Sequence, residues 1–291
     1  MPTVKFPTLV PKAFDSPALR PPTVVNERDV KPVVVFPHGG GTTKLLLTEE
    51  NAGCRYANLG LFMADPGQGS QWHTHPVEAD EEEYLYIIEG QGTLFYKQGG
   101  REHQLPFKEG EAIFTGHLTH YVRNTGSKPL KIYFSIAPLP ARTVIHGVQN
   151  DDGRGHVDSL DLRPPQLIRP ADIAITPFTA GGLTNRNMLT LDTVGARHGR
   201  FGTALETPGT GSFWHTHPAD VGEEDLFYTI RGTGTMVYLH GGKVHSFEFH
   251  AGDAIHSHHL TNFTRNHTVA DLEMVYSGAP HPPGTIVHTL A

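Results

Sequence analysis

Apolar positions along this chain recur in short runs with a period of two. No stretch of ten or more residues carries a 3.6-residue apolar stripe. Tyr84-Leu85-Tyr86-Ile87-Ile88 and Thr93-Leu94-Phe95-Tyr96 are aromatic or β-branched and bounded by glycine, and Gln104-Leu105-Pro106-Phe107 returns after the Gly99-Gly100 turn. Such runs predict strands joined by hairpins, and their regular spacing predicts an all-β sandwich or barrel. Residues 1–35 differ: Pro2, Pro7, Pro11, Pro17, Pro21, Pro22 and Pro32 forbid helix there. Thr23-Val24-Val25 and Val33-Val34-Val35-Phe36 predict one or two edge strands in an extended arm. That arm is expected to lie on the domain that follows or on a partner subunit.

The pattern occurs twice. A shift of 142 residues carries Trp72-His73-Thr74-His75-Pro76 onto Trp214-His215-Thr216-His217-Pro218 without a change, and these are the two tryptophans of the chain. The same shift carries Pro66-Gly67 onto Pro208-Gly209, Gly90 onto Gly232, Gly99-Gly100 onto Gly241-Gly242, Gly110 onto Gly252, and His146 onto His288. Self-similarity of this extent marks a duplicated domain. We read an arm at 1–35, a first domain at 36–149, a linker and second arm at 150–177 containing the polar Asn150–Gly155, and a second domain at 178–291.

Candidate chemistry concentrates in the repeated stretch. His73 and His75, at i and i+2 on a strand, point to one face. The acidic run Asp80-Glu81-Glu82-Glu83 follows, and a third histidine, His120, lies further on. Glu82 and Glu83 face opposite sides of a strand, so one of them turns inward. Spacing to Gly90 favours Glu83, whereas the matching pair Glu224-Asp225 favours Glu82 by acid identity.

This pattern resembles the cupin superfamily. That family's first motif carries two histidines one residue apart, a glutamate and a later glycine, here His73, His75, Glu83 and Gly90. Its second motif is matched by Gly110, His120 and Asn124. The loop before Glu83 is longer than the common form, and Gly116 stands where proline is commoner. The resemblance implies two tandem jelly-roll barrels, a bicupin. It also implies a metal site at His73, His75, Glu83 and His120. Three imidazoles and a carboxylate suit Fe(II), which is the favoured ion, and also Mn, Ni, Co or Zn. In the second repeat the matching set is His215, His217, Asp225 and Asn262. Asp is a methylene shorter and Asn a weak ligand, so this reads as a degraded or repurposed site, unless His256, His258 or His259 substitutes.

Composition narrows the function. The net charge of −7 leaves no basic footprint for nucleic acid or anionic membrane. No run approaches the length of a membrane span. The single cysteine, Cys54, excludes an intrachain disulfide and reads as a packed thiol. A cytoplasmic enzyme acting on a small molecule is expected, and the resemblance implies a homo-oligomer, a dimer foremost. The leading expectation is a non-haem Fe(II) dioxygenase. The alternative is a redox-neutral lyase, decarboxylase or isomerase in which Glu82 or Tyr84 moves a proton. A non-catalytic small-molecule-binding barrel is the third.

Overall fold

The computed structural model describes residues 18–147, 155–177, 181–217, 223–280 and 286–287. Residues 1–17 of the arm, the linker residues 150–154, and the repeat positions Pro218 and His288 lie outside these. The described chain is all-β: two tandem barrels, each of two antiparallel sheets. In the first barrel a six-stranded sheet holds Glu82–Glu89 between Ala112–Phe114 and Leu130–Ala137. A five-stranded sheet opposite it holds His73–Thr74 and His120–Arg123. The second barrel repeats this with seven and five strands. Two short helices, Glu49–Ala52 and Leu191–Val194, are each closed by a threonine capping box, on Thr48 and Thr190. No helix among the described residues is long and apolar enough to cross a membrane.

The larger sheets pack back to back. Along Glu82–Glu89, alternation sends Leu85 and Ile87 into the first barrel's core. Tyr84 and Tyr86 point the other way, into a cluster shared with Phe201, Leu226 and Val275 of the second barrel. Tyr133 and Phe201 meet there with ring centroids 5.3 Å apart. Burying Phe201 alone contributes about 1.5–3 kcal/mol. Strands covered on both faces read as near-continuous apolar runs, as Tyr84–Ile88 does.

The arm touches the domain that follows it, where Lys44 Nζ donates to the Glu27 carbonyl at 2.7 Å, but its strand pairs elsewhere. Thr23–Asn26 pairs with Asp253–Ser257 of the second barrel, not with the domain that follows it. The inter-repeat strand Gln166–Ile168 pairs with Ala112–Phe114 of the first barrel. Each arm thus completes the large sheet of the opposite repeat. Glu27 helps hold the first arm, accepting from the Tyr228 hydroxyl at 2.9 Å and pairing with Lys131 at 2.7 Å. The Val33–Phe36 run contributes only a bridge, from Val33 to Thr43.

Candidate metal centre

Inside the first barrel, His73, His75, Glu83 and His120 converge, one ligand atom from each lying within 4.8 Å of the others. Antiparallel pairing sets His73 opposite His120, and Glu83 reaches them from the facing sheet. Glu83 Oε2 is 3.2 Å from His120 Nε2 and 3.4 Å from His75 Nε2. Each imidazole is oriented from behind. His73 Nδ1 donates to the Gln71 carbonyl at 2.8 Å, His120 Nδ1 to the Leu118 carbonyl at 2.7 Å, and His75 Nδ1 to Glu81 Oε1 at 2.6 Å. Anchored Nδ1 atoms leave Nε2 to ligate. His75 Nε2 is buried with no hydrogen-bond partner, which a divalent ion would supply. The residues therefore fit a metal.

The electrostatics agree. Burial and the neighbouring His120 hold His73 well below its usual range, hence neutral. Burial opposes charge on Glu83, but His75 and His120 outweigh it and keep the carboxylate ionised. Without an ion, burial also opposes charge on His75, yet Glu83 and Glu81 push it up to about 10.

The acidic run resolves into four separate contacts. Asp80 pairs with Arg197 and, at 2.6 Å, with His198 of the second repeat. Glu81 orients His75 and accepts from the Arg142 amide at 2.5 Å and the Thr143 hydroxyl at 2.7 Å. Glu83 enters the barrel. Glu82 turns to the interface, where it accepts from the amides of Arg197 and His198 and, at 2.6 Å, from the Tyr84 hydroxyl. The proton-moving role expected of Glu82 and Tyr84 is thereby corrected: strand alternation puts both on the face away from His75 and His120. Glu81 was missed, although its copy Glu223 marks it in the repeat.

Beside the cluster lies a cavity of about 300 Å³. Its walls are mainly apolar, among them Phe36, Phe62, Leu85, Ile132 and Phe134, with Thr43, Asn58, Ser70 and Thr143 as polar points. Among the described residues no lysine or arginine lines it.

The second barrel holds the same frame with other contents. His215, His217 and Asp225 converge, but His217 Nε2 and Asp225 Oδ2 are only 2.5 Å apart, and His217 Nδ1 faces Glu223 at 3.2 Å. Burial disfavours charge on His217, yet Asp225 and Glu223 raise it to about 9. Arg200 is the residue the sequence reading missed. It donates to Glu223 at 2.8 Å and lies 3.5 Å from Asp225. The 142-residue shift puts Arg200 at the place of Asn58 and Gly278 at that of Ile136. A side chain at 278 would crowd this group, since a Cβ there lies 2.7 Å from Arg200 Nε. Asn262 donates to the Leu260 carbonyl at 2.9 Å, reproducing the Nδ1 contact of His120 without offering an Nε2. Of the alternatives, His256 donates to Ala52 O at the interface, the His258 ring lies 3.9 Å from that of His256, and His259 contacts the His217 carbonyl. The cavity here is about 70 Å³.

A family model described as cupin domain matches residues 60–136. Tetracenomycin polyketide synthase protein TcmJ of Streptomyces glaucescens is 33% identical over 132 residues, 45% of this chain and 78% of that protein. Polyketide synthase CurC of Streptomyces cyaneus is 28% identical over 138 residues, 47% of this chain and 78% of that protein. Among solved structures, oxalate decarboxylase of Lactobacillus farciminis in a formate complex aligns with a TM-score of 0.73 at 13% identity. That alignment covers 94% of this chain and 90% of that one. The Bacillus subtilis oxalate decarboxylase at pH 4.6 gives 0.72 at 13%, covering 94% and 80%. These last are likenesses of fold. With the motif positions gathered in each barrel and a relative one-third identical over most of its length, the chain belongs to the cupin superfamily, as a tandem pair of its barrels.

Proposed function

We propose that the chain is a metal-dependent, redox-neutral enzyme. In this reading the first barrel binds an apolar, enolisable substrate with neighbouring oxygens, of the polyketide-derived dicarbonyl class. The observation that carries it is the ligand cluster beside an apolar cavity that no lysine or arginine lines among the described residues. A small dianion such as oxalate would need fixed positive charge there. A hydrophobic substrate gains by burying its carbon skeleton against Phe62 and Phe134. The relatives named as polyketide synthase proteins support that substrate class.

His73, His75, Glu83 and His120 would hold the ion, which when bound supplies Lewis-acid polarisation of a substrate oxygen. The apolar walls exclude water and orient the ring or chain. Glu83 is the sole carboxylate lining the cavity among the described residues. Its Oε2 faces the imidazoles, so its other oxygen is the atom to take a proton from the carbon between two carbonyls. Thr143 and Asn58 are the polar points for orienting the substrate's remaining oxygens. The ion suited to this work is Mn, Zn, Ni or Co as readily as Fe(II).

The test is turnover of an apolar 1,3-diketone or poly-β-ketone under strict anaerobiosis. Undiminished turnover without oxygen, abolished by chelation, is expected. Oxygen uptake in proportion to substrate consumed would overturn the reading and restore the dioxygenase expectation.

A further inference from the structure

Between the barrels, away from both interiors, Cys54, Glu224 and His256 form a third group whose ligand atoms lie within 4.8 Å of one another. All three side chains are buried. Cys54 follows the short helix of the first repeat, whereas Glu224 and His256 sit on neighbouring strands of the second. We infer that this group binds a zinc ion that fastens one barrel to the other.

The argument starts from His256. Its Nδ1 donates to the Ala52 carbonyl at 3.0 Å, which directs Nε2 at the group. Nε2 is fully buried and has no hydrogen-bond partner, although Glu224 Oε2 lies 3.5 Å away. A proton shared between an imidazole and a carboxylate draws the heavy atoms to about 2.7–2.9 Å. A tetrahedral ion with bonds of about 2.0–2.2 Å instead sets its nitrogen and oxygen ligands roughly 3.3–3.5 Å apart. The candidate site in the first barrel shows that wider spacing between Glu83 and His75, at 3.4 Å, together with an unpartnered Nε2 on His75. The interface group shares both features.

The duplication provides a control. The mirror-related place at the interface holds Glu82, Phe114 and Ala196, the residues that the shift sets against Glu224, His256 and Cys54. There the carboxylate accepts from the Tyr84 hydroxyl as well as two amides. On the other side Leu226 replaces Tyr84 and can donate nothing, so Glu224 keeps only the amides of Arg55 and Tyr56. A thiol and an imidazole stand where the control has methyl and phenyl. A cysteine, an imidazole and a carboxylate make a donor set suited to zinc, with a fourth place open for water. The ring of His258, 3.9 Å from that of His256 and partly exposed, marks the way in.

The first barrel's donor set contains no sulfur, so a thiolate signal reports this site alone. Full-length protein, stripped of metal and kept reduced, is titrated with Co(II), a spectroscopic stand-in for zinc. A thiolate-to-cobalt charge-transfer band in the near ultraviolet is expected, saturating at one ion for this site and erased by added Zn(II). The band persists in His120→Ala, whatever becomes of the first barrel's ion. It disappears in Cys54→Ala and weakens at least ~10-fold in apparent affinity in His256→Phe, which restores the residue of the control side. Cobalt binding to the wild-type chain with no such band overturns the inference, as does a band that survives Cys54→Ala or a His256→Phe variant with unchanged affinity.

Discussion

The two barrel interiors are built on one frame and neutralised by different means. In the first, Glu81 and Glu83 face three histidines and no arginine among the described residues; a divalent ion would balance the two carboxylates, and without one His75, raised to about 10, is the chain's own cation there. In the second, Glu223 and Asp225 face Arg200 and a protonated His217, whose two positive charges belong to the chain itself. Four exchanges separate them: Asn58 for Arg200, Glu83 for Asp225, His120 for Asn262, and Ile136 for Gly278. The guanidinium needs the room that Gly278 leaves, and the shortened amide keeps the anchoring contact of the histidine it replaces. The second interior thus holds a guanidinium where the first has an amide, beside a smaller cavity.

The largest expected effect breaks this comparison directly. His120→Ala should remove the first barrel's ion and reduce turnover by more than ~100-fold, the order of effect that loss of a positioned metal ligand carries. His215→Ala should leave both unchanged, and elemental analysis beside a turnover assay distinguishes them. Next comes Arg200→Ala. It strands two buried carboxylates, and denaturant unfolding should show a loss of about 3–5 kcal/mol. The same exchange made in company, Arg200→Asn with Asn262→His and Gly278→Ile, should instead let the second barrel take up an ion. A smaller effect is expected of Glu81→Gln, which leaves the ligands in place but weakens the orientation of His75. Metal affinity should fall about 10–100-fold in competition with a chelator.

The smallest effect is in pH. His217 titrates at about 9 in the folded chain, above its unfolded value of about 6.5. Its stabilisation is therefore complete below about 6.5 and lost as pH rises through about 9. Asp225 is lowered to about 2, His217 and Arg200 overcoming its burial, so its contribution disappears only as pH falls through that value. With the first barrel's ion bound, Tm should decline from pH 7 to 10, and His217→Gln should flatten that slope.

Much of this was legible before the fold. Period-two runs and glycine turns specify strands through local chemistry, and the duplication shows itself by identity at equivalent positions. The histidine pair is legible because alternation on a strand is a local rule. Spacing to Gly90 is what singles out Glu83 over Glu82; hydrophobicity on its own does not distinguish them, because both faces of that strand are buried, one in a barrel and one against the other repeat. Arg200 lies in none of the motif segments and reaches the second interior only through the packing of Gly278. Glu82 and Tyr84 look like proton carriers beside a metal motif, and only the back-to-back arrangement reveals them as fasteners. The destination of the arm rests on the pairing of residues more than two hundred positions apart, for which local sequence carries no signal.

That exchange of arms has a consequence for how the protein is made and divided. Neither repeat contains every strand of its own large sheet: the first waits for Gln166–Ile168, and the second uses Thr23–Asn26, synthesised long before it. During translation the leading segment must stay unpaired until nearly the whole chain has emerged. A gene cut between the repeats would yield two halves, each with one bare sheet edge and one surplus strand to offer. Two such halves have every reason to find each other, and the single chain is the covalent form of that embrace.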